Sequence, residues 1–135
     1  MSEPVSPSDG LAVLYLFLKV CGQIDAAAVR VAVDAATEAG DQVVPVAILG
    51  HKADVAVMTL GTDLWRLRAL QTALVAAGLE LVDSYLSLTE VSEYAQGVPD
   101  EMKRARLYPV LPPEGMPAWC FYPMSKSRDV GANWF

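Results

Sequence analysis

Apolar residues fall in blocks whose spacing changes along the chain. Val13 to Leu18 is an unbroken apolar and aromatic run inside Leu11 to Val20, closed by Lys19 and Gly22, and predicts a buried strand. Asp25 then precedes the alanine-rich stretch Ala26 to Ala39, where Val29, Ala32, Val33 and Ala36 recur at helical spacing and Arg30, Asp34 and Glu38 form a ladder on the opposite side. Asp25 suits an N-cap, and Gly40 a C-terminal stop. Gln42 to Leu60 reads as a β-hairpin: two apolar arms flank the break Gly50-His51-Lys52-Ala53-Asp54. Both arms are apolar enough to predict central strands buried on both faces. Beyond Gly61, Thr62 or Asp63 caps a second helix, Leu64 to Ala77, with a core stripe of Leu67, Leu70, Leu74 and Ala77, solvated Arg66 and Arg68, and Gly78 as its stop. Leu79 to Tyr94 alternates with neither side cleanly apolar, which predicts a long extended strand open to solvent or to a partner.

The order strand, helix, strand, strand, helix, strand is the ferredoxin-like split βαβ pattern, an α+β fold with an antiparallel sheet and both helices on one face. The other face needs a cover from a partner sheet, a second domain or the C-terminal segment. Residues 1–10 read as a frayed polar tail, 11–94 as the ferredoxin-like domain, and 95–135 as a proline-rich arm leading toward a second domain. Within the arm, Glu101 to Arg106 suits a turn or two of helix. Trp119 to Tyr122 reads as a short strand ended by Pro123.

At 135 residues with 53% apolar content, the chain can build a real core. Its net charge of −6 argues against a nucleic-acid or anionic-membrane surface, and Lys103, Arg104 and Arg106 read as a solvated helix end. Cys21 and Cys120 lack paired metal spacing and lie in or beside apolar runs, so buried thiols are expected. The N-terminus has no basic, apolar export segment, and Leu11 to Leu18 is too short to span a bilayer. A reduced, cytoplasmic setting follows as an expectation.

No nucleophilic triad, glycine-rich phosphate loop or self-contained metal site is visible; a carboxylate pair from Asp54 and Asp63 would be a guess. His51, the sole histidine, sits at the hairpin break, where the ring suits a structural hydrogen bond. The best chemical candidate is the terminal segment. Tyr122, Lys126, Arg128 and Trp134 combine a phenol, two cations and an aromatic wall, suited to an anionic, planar ligand whose carboxylates meet the cations. The plainer alternative packs Tyr122 and Trp134 on their own domain and leaves the cations in water.

At these residues a family likeness emerges. Cys120-Phe121-Tyr122-Pro123-Met124-Ser125-Lys126 followed by Asn133-Trp134-Phe135 closely resembles the chlorite dismutase-like superfamily, nearest to its coproheme decarboxylase branch. Gly50 to Asp54, Ser84 to Tyr94 and Ala105 to Pro109 resemble it too. The resemblance implies two ferredoxin-like halves in one chain, assembled mostly as homopentamers. It implies an iron porphyrin gripped mainly by the C-terminal half, which supplies the proximal histidine, and a connecting segment that passes over the propionates. The implied reaction is peroxide-dependent oxidative decarboxylation of Fe-coproporphyrin III to haem b. Tyr122, Lys126 and Arg128 match the propionate segment, and Trp134 matches the tryptophan of the family's Asn-Trp-Tyr motif. Phe135 then stands where that motif carries a tyrosine, and phenylalanine has no O–H to give up. Tyr122 is the alternative phenol. His51 does not match the proximal histidine.

The resemblance makes the chain the N-terminal half of a haem-dependent oxidoreductase, inactive without its C-terminal half and holding the porphyrin only when completed. The competing reading is a non-catalytic ferredoxin-like module that assembles with itself or with a separate half. A dimeric ferredoxin-like monooxygenase stays open on fold alone, but would not need the aromatic and cationic arm.

Overall fold

The computed structural model describes residues 3–50, 52–92 and 95–125. Its elements are β1 (Ala12–Lys19), α1 (Ala26–Glu38), β2 (Gln42–Ala47), β3 (Val55–Gly61), α2 (Leu64–Ala76), β4 (Glu80–Leu88) and α3 (Asp100–Leu107). The strands form one antiparallel sheet in the order β2-β3-β1-β4, and with α1 and α2 they give the α+β ferredoxin-like arrangement read from the sequence.

The caps work as the sequence suggests. Asp25 accepts a hydrogen bond from the Ala28 N–H at 2.9 Å, and Asp63 accepts one from the Trp65 N–H at 2.9 Å; each satisfies an amide that the first helical turn leaves without a partner. Past α2, Gly78 takes φ +104°, and a Cβ there would lie 2.8 Å from the Gln23 carbonyl. Only glycine lets the chain turn so close to the start of α1.

Two cores lie on opposite sheet faces. On one, Ala12, Leu14, Leu16, Leu18 and Val57 pack under Ala36 of α1 and Leu67, Leu70 and Leu74 of α2, the core stripe read for the second helix. On the other, Val13, Phe17, Ala56, Met58 and Leu60 are buried beneath Leu111, Trp119 and Phe121. Of the three covers considered for the second face, the C-terminal segment provides one.

Five expectations are corrected. β3 is central and buried, but β2 is an edge strand with half-exposed residues; Pro45, which has no N–H, suits an edge despite the apolar pattern. β4 ends at Leu88, because the Thr89 hydroxyl accepts from the Leu11 N–H at 2.8 Å and donates to the Leu107 carbonyl at 2.8 Å, which turns the chain out of the ladder. Trp119 to Tyr122 joins no strand. Its rings are held by side-chain packing rather than by backbone pairing. Cys21 and Cys120 are both exposed: Cys120 sits between two residues whose rings turn to the sheet, so its own side chain turns out.

Arg66 is not a free surface cation either. Its guanidinium grips Asp41 with Nη2 at 2.7 Å and Nε at 3.1 Å, and the Asp41 side chain is 1% exposed. Among the described residues no helix is long and apolar enough to cross a membrane.

Candidate functional site

Alternation places Trp119 and Phe121 on the same side of an extended segment, and that side meets the helix-free sheet face. The Phe121 ring lies 4.8 Å from Tyr15, 5.3 Å from Phe17 and 5.1 Å from Tyr85, centroid to centroid. Trp119 stacks on Phe121 at 5.5 Å with 13° between planes and lies 6.1 Å from Phe17. The mostly tilted pairs are the favoured arrangement for aromatic quadrupoles. The cluster draws one ring from the exposed strand β4 and two from β1, so it joins the arm to half the width of the sheet.

Beside it opens a cleft of about 600 Å³, walled by Phe17, Val46, Ile48, Tyr85, Trp119 and Phe121, with Asp83 at its edge. That size and a largely apolar wall with few polar groups are typical of small-molecule sites. Leu49 and Gly50, just after β2, border the cleft, with Leu49 99% exposed. A second, more polar cleft continues from the shared residues Gly50 and Asp83 to Lys19, Lys52, Glu80 and Cys21. The Cys21 thiol is held above its ordinary pKa by its hydrogen bond to Glu80, with a smaller contribution from desolvation, so it is a poorer nucleophile than a free thiol.

The arm is tied down before it reaches the cluster. Tyr108 donates its phenolic hydrogen to Asp9 at 2.9 Å and accepts from the Gly10 N–H at 3.1 Å. Gln42 donates to the Pro109 carbonyl and accepts from the Leu111 N–H, both at 2.7 Å. The residue after Phe121 is Tyr122, which is 70% exposed. The arm therefore holds Phe121 and offers the adjacent phenol to solvent.

Of the site residues read from the sequence, Tyr122 is described and lies at the end of the docked arm. Lys126, Arg128, Trp134 and Phe135 lie outside the described residues, as does His51. Sequence reasoning did not bring Tyr15, Phe17 and Tyr85 to the arm. The signal was present in the alternation Trp119, Cys120, Phe121, but the partners lie in distant strands. Among the described residues, no group of three or more His, Cys, Asp or Glu side chains is placed to hold a metal ion.

The family model for chlorite dismutase matches residues 23–135. A coproheme decarboxylase from Staphylococcus carnosus is 37% identical over 98 residues, covering 65% of this chain and 39% of the relative. A protein described as heme-binding, from Natronomonas pharaonis, is 38% identical over 105 residues, covering 65% of this chain and 17% of the relative. The matched stretches thus cover well under two thirds of the length of either relative.

Proposed function

The chain belongs to the chlorite dismutase family, and from that premise we propose that it is the arm-bearing, N-terminal ferredoxin-like half of an iron-porphyrin oxidoreductase. The reaction proposed is the peroxide-dependent oxidative decarboxylation of Fe-coproporphyrin III to haem b. The coproheme decarboxylase from Staphylococcus carnosus supports the substrate class, and the heme-binding relative supports the cofactor.

The observation that carries the reading is the exposed phenol of Tyr122 next to the anchored ring of Phe121, with Lys126 and Arg128 following in sequence. Oxidative decarboxylation needs cations to hold the propionate carboxylate and a phenol that, once oxidised, can take a hydrogen atom from the propionate. The propionate then gives up a second electron to the peroxide-derived oxidant as its C–C bond breaks and CO₂ leaves. Lys126 and Arg128 take the first role in this proposal, Trp134 packs beside the ring system, and Tyr122 takes the second. Phe135 has no hydroxyl hydrogen, so the phenol that gives up a proton and an electron is Tyr122. Bound iron porphyrin would supply the oxidising chemistry with peroxide. The described residues offer it an apolar flank and a phenol, and the iron ligand comes from the second half. The same reading has the complete protein form homo-oligomers in the cytoplasm, a setting that suits the two exposed, unpaired thiols.

A second reading, a non-catalytic assembly module, draws on β4, whose residues are exposed along nearly its whole length. Mass analysis of porphyrin products separates the two. With a second ferredoxin-like half supplied in trans, Fe-coproporphyrin III and peroxide should yield haem b. Binding of the second half with no porphyrin product would favour the assembly module.

A further inference from the structure

We propose that Gln42 is the residue that positions the arm, and through it Tyr122, over the sheet. This role presupposes the porphyrin-facing reading of the arm given above; the clamp itself does not.

A primary amide carries one acceptor and an N–H₂ donor in one plane, so it can pair with an extended backbone as a neighbouring strand would. Gln42 opens the edge strand β2 and pairs with Leu60 of β3, which places it on the arm face. Its Nε2 donates to the Pro109 carbonyl at 2.7 Å, and its Oε1 accepts from the Leu111 N–H at 2.7 Å. The arm needs such a partner, because Pro109, Pro112 and Pro113 have no N–H for a ladder. The pairing fixes where Leu111 enters the cluster of Val13, Met58 and Leu60, and Trp119 joins that same cluster further on. Upstream, Thr89 and Tyr108 hold the start of the arm at Leu107 and Gly10. Gln42 holds Leu111, which shares a cluster with the first aromatic anchor, Trp119, and so sets the register from which Tyr122 projects.

Two variants test it. Gln42→Met keeps the side-chain length and removes both hydrogen bonds. Gln42→Glu at pH 7 keeps the acceptor for Leu111 but sets a carboxylate against the Pro109 carbonyl. Protonation below about pH 4 restores a donor. The wild-type chain measured over the same range accounts for the other groups around the arm and strand: Asp9, Tyr108, Asp83 and the Asp41–Arg66 pair on the opposite sheet face.

Amide exchange at Leu111 should be about tenfold or more faster in Gln42→Met, with the Trp119 indole resonance displaced and cooperative unfolding retained. Gln42→Glu should fall between Gln42→Met and the wild type at pH 7, since its carboxylate still accepts from Leu111 but repels the Pro109 carbonyl, and should approach the wild type at low pH. With the second half present, Gln42→Met should bind Fe-coproporphyrin III about tenfold more weakly, or 1.4 kcal/mol, and lower the yield of haem b. Unchanged exchange at Leu111 overturns the clamp. Faster exchange with unchanged porphyrin affinity and product overturns the positioning role. If the wild-type protein with its second half binds no porphyrin, the proposed function fails and the positioning role with it, while the exchange data still decide whether the clamp exists.

Discussion

A Cβ on Gly61 would run into the Asp41 carboxylate and come within 3.2 Å of Leu67. That carboxylate is itself locked by Arg66, so it has no easy retreat. Gly61→Ala should lower stability by about 1–3 kcal/mol in denaturant titration. Arg66→Ala, which strands Asp41 as a buried unpaired charge, should cost about 3 kcal/mol. A third residue-scale prediction concerns Cys21. Glu80 holds its pKa up, so at pH 8 less thiolate is present and alkylation is slower than for a free thiol. Glu80→Gln should speed labelling of Cys21, followed by mass spectrometry. Individual side chains were the least legible part of the sequence. Arg66 read as solvated because its partner lies 25 positions away, and the cysteines read as buried because apolar neighbours in sequence say nothing about which way one residue points.

At the scale of elements, local rules carried most of the fold. Both helices begin at the aspartates that suit caps and end before glycines, and the stripe of Leu67, Leu70 and Leu74 is buried as its spacing requires. The errors came where tertiary context overrides pattern. β2 is as apolar as a central strand yet lies at an edge, and Thr89 ends β4 by hydrogen bonds to Leu11 and Leu107. The arm is the element whose energetics matter most to the site. Trp119→Ala and Phe121→Ala remove rings that are half-buried rather than fully enclosed, so each should cost about 2 kcal/mol, less than a core aromatic. Near-UV circular dichroism should lose signal in both, since five aromatic side chains share the cluster. A far-UV spectrum close to wild type would show that the sheet and helices persist without the docked arm.

For the whole molecule, the helix-free face is covered in part by the chain's own arm, which packs Phe121 on Tyr85, while Leu86 and Leu88 of β4, paired with Leu14 and Ala12 on the helix side, stay exposed. The proposed function was legible only through the stretches that carry the family resemblance: the terminal motif, Gly50 to Asp54, Ser84 to Tyr94 and Ala105 to Pro109. Periodicity and composition gave a ferredoxin-like fold, which hosts many chemistries, and the aromatic cluster that anchors the motif depends on strands far apart in sequence. The proposal that half a porphyrin pocket is present also makes a kinetic prediction. In the complemented protein, Tyr122→Phe should retain porphyrin binding while decarboxylation falls on the order of a hundredfold or more, read from haem b formed per unit time. The most direct measurement is a Soret absorbance titration of the 135-residue chain with Fe-coproporphyrin III, alone and with the second ferredoxin-like half. The chain alone should give a weak, non-saturating change, and the pair a tight, saturable shift. Tight saturation by the chain alone, followed by peroxide-driven formation of haem b, would contradict the division of the pocket between two halves.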